Sequence, residues 1–395
     1  MLKWRGGSAR GKKLGWQSLE GRELTIGRWP PQAADRLQAW DAADEYFLHR
    51  LREQPVAPGA RVLLVDDHWG ALGVALAGLQ PVAWGDSHLG RLALAANLRA
   101  DNLAAEAVPF VPSTDLPVGP FDLALVRIAK DLDAFSDTLR RLREVLAPGA
   151  EVVAGGMIKH TPTRAWRLLE SLIGPAPTTP GWKKARLGSA RFTAPPPGPV
   201  PESTGYELAA DGLALCGAPG VFGGGRLDGG AALLLRHLPA VETPLAAVDL
   251  GSGDGVLALA LARRCPCAQV LGVDASHRAV ACAMANLARN AGVFGDASRV
   301  AFNVGDGLAD AQPATLDLVV CNPPFHDGHA VADVTAARLF EQARAALRPG
   351  GRLLVVGNRH LGHHAKIDRI FGSHELVDGD ARFVVLAATR GDGPA

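Results

Sequence analysis

Cysteine is sparse and irregular in this chain, and its pattern excludes two classes of protein. The five cysteines are Cys216, Cys265, Cys267, Cys282 and Cys321. Cys265-Pro-Cys267 lacks the spacing of a zinc ligand pair, and no second pair follows it. An odd number without regular spacing argues against a disulfide framework and predicts reduced thiols. Excess charge of one sign is also missing: 41 Lys and Arg face 40 Asp and Glu. No overall field therefore draws the chain onto nucleic acid, and any such contact must be local. No apolar run is long enough to span a bilayer, and the N-terminus lacks a signal-peptide core. The expected location is the cytoplasm.

Local charge is present. Lys3, Arg5, Arg10, Lys12, Lys13, Arg22 and Arg28 are opposed only by Glu20 and Glu23. Lys183, Lys184 and Arg186 form a second cluster, and Arg359, Lys366 and Arg369 a third. Each is either a phosphate contact or ordinary solvated surface. At 395 residues the chain is too long for one ordinary core and fits two domains.

The halves repeat one another. Arg61-Val62-Leu63-Leu64-Val65-Asp66 reads as an apolar strand ending in an acid, like Ala247-Val248-Asp249. Helices then open at Gly70 and at Gly253-Asp254-Gly255. Val82-Ala83-Trp84-Gly85-Asp86 matches Val270-Leu271-Gly272-Val273-Asp274, and the helices that follow carry Asn97-Leu98 and Asn286-Leu287. Phe121-Asp122-Leu123 matches Leu316-Asp317-Leu318. Asp66 and Asp249 lie 183 residues apart, and Leu146 and Leu347 lie 201 apart, a drift that loop insertions explain. Short β-branched strands alternating with helical stretches predict a parallel sheet covered on both faces in each half. The run Ala194-Pro195-Pro196-Pro197-Gly198-Pro199-Val200-Pro201 suits neither a helix nor a central strand. The expected organisation is a basic extension over 1–36, a domain over 37–193, a linker over 194–203 and a domain over 204–395.

In the second half, Asp249-Leu250-Gly251-Ser252-Gly253-Asp254-Gly255 follows an apolar strand. Glycines there permit positive φ and close approach of a ligand to the backbone. Asp274 ends the next strand, followed by Ala275, where a carboxylate can accept from two ribose hydroxyls. A nicotinamide cofactor shares these features. However, Val256 stands where the dinucleotide fingerprint needs its last glycine. An acid at Asp249 also repels pyrophosphate and suits the charged amino-acid end of S-adenosylmethionine. That cofactor is the favoured reading, with Asp306, beside Gly307, as the adenine acceptor.

The reacting site is read at Asn322-Pro323-Pro324-Phe325, directly after the strand Asp317-Leu318-Val319-Val320-Cys321. Two prolines make the loop rigid and remove backbone donors. The Asn322 side-chain oxygen and the Pro323 carbonyl can each accept a hydrogen from an aromatic amino group, and Phe325 can stack on its ring. His326, Asp327 and His329 follow, as target-positioning residues before a metal trio. In the first half Arg127-Ile128-Ala129-Lys130 replaces this loop, and His68, Trp69 and Leu72 interrupt the glycine loop. The chain therefore reads as two tandem Rossmann-like α/β domains of the class I S-adenosylmethionine-dependent methyltransferase kind, doubly wound, the N-terminal one degenerate.

Asn322-Pro323-Pro324-Phe325-His326-Asp327-Gly328 resembles the signature of bacterial ribosomal RNA guanine-N2 methyltransferases, the RsmC/RlmG group, and the resemblance runs from about Leu37 to about Ala388. It implies a degenerate N-terminal domain that helps hold RNA, an active C-terminal one, and methylation of the N2 amino group of a guanine. Leu37 to Tyr46, Trp182 to Leu187 and Asn358-Arg359-His360-Leu361 are closer to members acting on 23S RNA than to those acting on 16S RNA. The resemblance also implies that Val221-Phe222, with Leu227-Asp228 and Gly230, closes over cofactor and target, and that Phe222, Phe325, His326 and Arg359 contact substrate. Gly223-Gly224-Gly225 departs from the family's bulkier residues, which predicts a looser lid. The expected partner is ribosomal RNA, 23S before 16S, met by a monomer without metal or membrane. Methylation of a protein glutamine or of adenine N6, a non-enzymatic RNA-binding protein and a nicotinamide oxidoreductase stand as alternatives.

Overall fold

Val62-Leu63-Leu64-Val65 and Leu318-Val319-Val320-Cys321 are apolar and buried at every position, as strands are when helices cover both faces. The computed structural model describes residues 15–31, 37–194, 196, 198–199, 204–324 and 329–393, with 329–333 as helix backbone alone. Contacts divide the chain into two compact units, residues 1–200 and 201–395.

In the first unit, β1 (Trp16–Gln17) pairs antiparallel with β2 (Glu23–Leu24). There follow α1 (Ala42–Glu53), β3 (Val62–Val65), α2 (Ala71–Ala75), β4 (Val82–Gly85), α3 (His88–Ala100) and β5 (Phe110–Pro112). Next come β6 (Phe121–Arg127), α4 (Leu132–Leu142), β7 (Leu146–Met157), α5 (Thr163–Leu172) and β8 (Ala185–Arg191). The sheet order is β5-β4-β3-β6-β7-β8, parallel except for β8 against β7. Helices α1 to α3 pack on one face, α4 and α5 on the other.

The second unit opens with a hairpin, β9 (Gly205–Leu208) and β10 (Leu213–Cys216). It continues through α6 (Gly229–Leu235), β11 (Leu245–Leu250), α7 (Val256–Arg264), β12 (Ala268–Asp274), α8 (His277–Arg289) and β13 (Val300–Val304). Then come β14 (Leu316–Cys321), α9 (His329–Ala346), β15 (Leu347–Asn358), α10 (His363–Phe371), β16 (Glu375–Gly379) and β17 (Phe383–Thr389). The order is β13-β12-β11-β14-β15-β17-β16, with β17 antiparallel to both neighbours. Helices α6 to α8 cover one face, α9 and α10 the other. The fold is doubly wound as expected, with an antiparallel edge because the three-residue turn after β16 is too short for a crossover. Strand order reverses at β11, between β12 and β14, so a crevice opens beyond the C-terminal ends of those strands.

Two hydrogen bonds fix how the halves correspond. Arg61 N donates to Asp122 Oδ2 at 2.8 Å, and Ala246 N donates to Asp317 Oδ2 at 2.8 Å. Register then places Val65 where Leu250 stands, and Asp66 where Gly251 stands. Both of the latter are left-handed, at φ +56° and +82°. Leu64, not Asp66, occupies the place of Asp249, and Gly85, not Asp86, that of Asp274. The match read from the sequence is offset because strands buried on both faces carry no alternation to fix their register.

Part of the expected N-terminal extension belongs to the first unit. Trp16 is buried in its core, and its Nε1 donates to Ala71 O at 2.9 Å. Arg22 pairs with Asp101, and Arg28 lies 5.0 Å over the Trp69 ring, so neither is a simple solvated cation. Lys3, Arg5, Arg10, Lys12 and Lys13 lie outside the described residues.

Candidate active site in the second unit

β11 delivers Asp249 into the sheet interior, fully buried. Its Oδ2 accepts from Ala258 N at 3.0 Å, while Oδ1 has no partner among the described residues. Burial pushes this carboxyl up to about 7. Past the strand, Gly251 and Gly253 take φ +82° and +54°. Among the described residues, a side chain on Gly253 would meet nothing within 4 Å, and one on Gly251 only the Asn322 carbonyl oxygen at 3.9 Å. These two leave open backbone. Gly255 serves packing instead. A Cβ there would lie 2.9 Å from Phe302 and 3.0 Å from Ala283, so its absence lets α7 sit against the sheet. Asp274 accepts from Gly253 N and Ser276 N, each at 2.9 Å, which fixes its carboxylate at the rim beside Ala275.

Asn286 on α8 clamps this loop. It accepts from Cys216 N at 2.9 Å and donates to Cys216 O at 3.0 Å and to Asp254 O at 2.9 Å. Tyr206 Oη donates to Asp254 Oδ2 at 2.7 Å, tying the β9–β10 hairpin to the same loop. Open backbone, an anchored rim carboxylate and an unpaired buried oxygen on Asp249 together suit a ligand with ribose hydroxyls and a cationic end. S-adenosylmethionine has both.

Asn322 leaves the end of β14, across from the glycine loop. Its Nδ2 donates to Asp228 Oδ2 at 3.4 Å. The same oxygen caps α6, accepting from Gly230 N at 2.9 Å and Ala231 N at 3.1 Å. A carboxylate only accepts, so the Asn322 amide turns its nitrogen to Asp228 and its oxygen away. That oxygen is buried and has no partner among the described residues. An unpaired buried acceptor costs about 1–3 kcal/mol, and an incoming N–H relieves it. Asp228 is visible in the sequence as a segment marker. Its pairing with a residue 94 positions away is not. Pro323 is buried and Pro324 exposed, while Phe325, His326, Asp327 and Gly328 lie outside the described residues.

The other expected residues have more local partners than their sequence suggests. Asp306 pairs with Arg338 of α9, and a Cβ on Gly307 would lie 2.2 Å from Gln342 Oε1. Gly307 thus admits α9 rather than opening space. Arg359 donates to Asp380 O at 2.7 Å and 3.2 Å, holding the β16–β17 turn. Val221 is buried against Ala279 and Cys282, and Phe222 is 44% exposed. The glycines after Phe222, where a looser lid is expected, take a defined turn. All three are left-handed, Arg226 N donates to Gly223 O at 3.0 Å, and Gly225 packs so tightly on Thr204 that a Cβ would lie 2.1 Å from its Oγ1. Gly225 admits no side chain, whereas Gly224 faces open space among the described residues. Among the described residues no three His, Cys, Asp or Glu groups could hold a metal ion, and no helix is long and apolar enough to cross a membrane.

Two family models match the chain in series: the RLMG N-terminal domain over residues 17–194 and the methyltransferase small domain over residues 212–387. A Pseudomonas putida protein named ribosomal RNA large subunit methyltransferase G is 45% identical over 369 residues, 93% of this chain and 98% of its own length. The chain belongs to the ribosomal RNA large subunit methyltransferase G family. A Pseudomonas aeruginosa relative of the same name is also 45% identical, covering 93% of this chain and 97% of its own. Among solved structures, the T. thermophilus 16S rRNA N2 guanine methyltransferase RsmC, in complex with AdoMet and guanosine, matches with TM-score 0.69 at 23% identity. That match covers 93% of this chain and 95% of the other, and it supports the fold.

In the first unit the equivalent place is filled differently. Arg127 stands in the place of Asn322, since Asp122 and Asp317 correspond and each lies five residues before it. Its guanidinium donates to both carboxylate oxygens of Asp41, at 2.8 and 2.7 Å, and lies 3.1 Å from Asp44. Asp41 caps α1 as Asp228 caps α6. Burial alone would raise Asp41, but the Arg127 bonds bring it below the usual carboxylate range. Burial pushes Asp44 up to about 7. An ion cluster thus fills the position of the orphan amide.

Proposed function

We propose that the second unit methylates the exocyclic N2 amino group of a guanine in 23S ribosomal RNA, using S-adenosylmethionine. The observation that carries this reading is the unpaired, buried side-chain oxygen of Asn322 beside an open glycine loop. An aromatic amino group is a poor nucleophile because its lone pair is shared with the ring. Asn322 Oδ1 accepts one of its hydrogens and the Pro323 carbonyl the other, which fixes the nitrogen and turns its lone pair toward the donor. Pro323 and Pro324 keep these acceptors from moving. S-adenosylmethionine, when bound, supplies a methyl group activated by its positive sulfur. Gly251, Gly253 and Asp274 would hold it, with Asp249, Gly255, Ala275, Asp306 and Gly307 shaping the surround. Positioning by these residues supplies most of the acceleration.

Phe222, Phe325 and His326 are the proposed base contacts. The large-subunit name shared by relatives at 45% identity supports 23S RNA as substrate, and the N2 chemistry named for the T. thermophilus enzyme supports the position on guanine. The first unit is a non-catalytic copy, and the protein acts as a cytoplasmic monomer without a metal. The test is transfer of tritiated methyl groups to unmodified 23S and 16S RNA, each free and assembled, followed by mapping of the labelled nucleoside. Label is expected as N2-methylguanine in 23S RNA. Asn322→Ala should lose about a hundredfold or more of it, the size expected for a positioned hydrogen-bonding group, while calorimetry still shows cofactor binding. Absence of label from 23S RNA, or full transfer by Asn322→Ala, overturns the reading.

A further inference from the structure

The first unit keeps the fold without the reacting loop, so the use of the same end of its sheet is open. The cleft beyond β3 and β4 is lined by Asp66, Asp67 and Asp86 and repels phosphate. The far side of that end has the opposite character. Met157 at the end of β7 lies opposite Ala185 at the start of β8, and Ile158 N donates to Lys184 O at 2.9 Å. The residues around that pairing, 157–167 and 181–186, contain Lys159, Arg164, Arg167, Lys183, Lys184 and Arg186 and no acidic residue; Glu45 of α1 reaches Lys183 from outside them.

Trp182-Lys183-Lys184-Ala185 is a two-residue hairpin turn closed by N–H···O bonds of 2.9 and 2.8 Å. Both lysines are left-handed, at φ +47° and +70°, in positions where Asn-Gly is preferred and a Cβ is penalised. The turn is anchored by Trp182, stacked on His49 at 5.3 Å and tilted against Tyr46 at 5.3 Å. Lys183 Nζ lies 4.6 Å over the Trp182 ring and 2.6 Å from Glu45 Oε2. Lys184 and Lys159 are exposed, and neither has an ion-pair partner among the described residues. A rigid turn therefore presents ammonium charge at the cost of backbone strain, in a chain whose total charge is only +1.

We propose that this turn and the end of β7 form a docking surface for the phosphate backbone of ribosomal RNA, with Lys184 and Lys159 as principal contacts and Arg164 and Arg186 beside them. The proposal rests on the ribosomal RNA reading given above. The occupant is backbone rather than bases because the ring that could stack, Trp182, is already engaged by His49 and Tyr46.

The experiment measures binding of the full chain to transcribed 23S RNA over a salt series, together with melting temperature and S-adenosylmethionine affinity. Lys183→Asn/Lys184→Gly installs the preferred turn pair and should raise the melting temperature. RNA affinity should fall several-fold, and the salt slope should flatten by about one to two, because each phosphate contact contributes roughly 0.7–0.9. Cofactor affinity should not change. Lys184→Arg, which keeps the charge, should keep the affinity. A folded double variant with wild-type affinity and slope overturns the proposal, as does equal loss in Lys184→Arg. A wild-type chain that fails to bind 23S RNA overturns both this and the functional reading. Wild-type binding and methyl transfer beside an unchanged double variant overturn this one alone.

Discussion

Asp228 serves two partners with one oxygen, capping α6 and receiving the amide nitrogen of Asn322. The duties can be separated. Serine caps a helix about as well as aspartate but is too short to hold Asn322. Asp228→Ser should therefore leave the melting temperature nearly unchanged and lower kcat about tenfold or more, with KM for S-adenosylmethionine unaltered. Asp228→Asn retains an acceptor and should keep most of kcat. Wild-type kcat in the serine variant would remove Asp228 from the machinery. Asp249 allows a pH test. Its folded value, about 7 through burial, lies above the ordinary value near 3.9. The native state thus holds a proton that the unfolded chain releases, and stability falls as pH rises from about 4 to about 7. The penalty has an upper bound of about 4 kcal/mol. Asp249→Asn should gain melting temperature over wild type at pH 8.5 relative to pH 5. A difference that does not vary with pH would show that the carboxyl is ionised throughout.

Among the elements, α3 and α8 repeat one device. Asn97 accepts from Gly27 N and donates to Gly27 O and Trp69 O, at 2.8 to 2.9 Å. Asn286 does the same for Cys216 and Asp254. Each clamps a preceding segment to the residue before a left-handed glycine, Gly70 or Gly255. Asn286→Ala leaves buried groups unpaired at about 1–3 kcal/mol each, and it should lower melting temperature and cofactor affinity together. Asn97→Ala should lower stability alone. Equal effects on cofactor binding would mean that the clamp has no specific link to the glycine loop. These asparagines are legible in the sequence only as marks of the repeat, because their partners lie up to 70 residues away. The glycine loop and the Pro-Pro loop are legible because each is a local signal, a turn chemistry following a buried strand. The alignment of the halves is not, since fully apolar central strands fix no register, and the antiparallel edge is not, since β16, Glu375–Gly379, is polar and largely exposed and carries no strand signal.

Across the whole chain, the two units share the order of six strands, the second adding β16 at its edge, and only one is expected to respond to cofactor. At a hundredfold excess over Kd, S-adenosylmethionine should stabilise the unit that binds it by about 2.7 kcal/mol. Native-state hydrogen exchange should show the added protection over 245–322 and none over 62–127. Protection in both stretches would contradict the non-catalytic assignment. Arg127→Asn should not create a second site, because Leu64 still stands where Asp249 would be needed.

The Arg127 cluster also makes that loss hard to reverse. Removing the guanidinium strands Asp44 in the interior beside Asp41, a change of the kind that costs about 3–5 kcal/mol. Removing either acid leaves the arginine short of a partner. Arg127→Asn, the change that would restore the side chain of the second unit, therefore carries that cost from the start: the ion cluster that stabilises the first unit also resists conversion of its site.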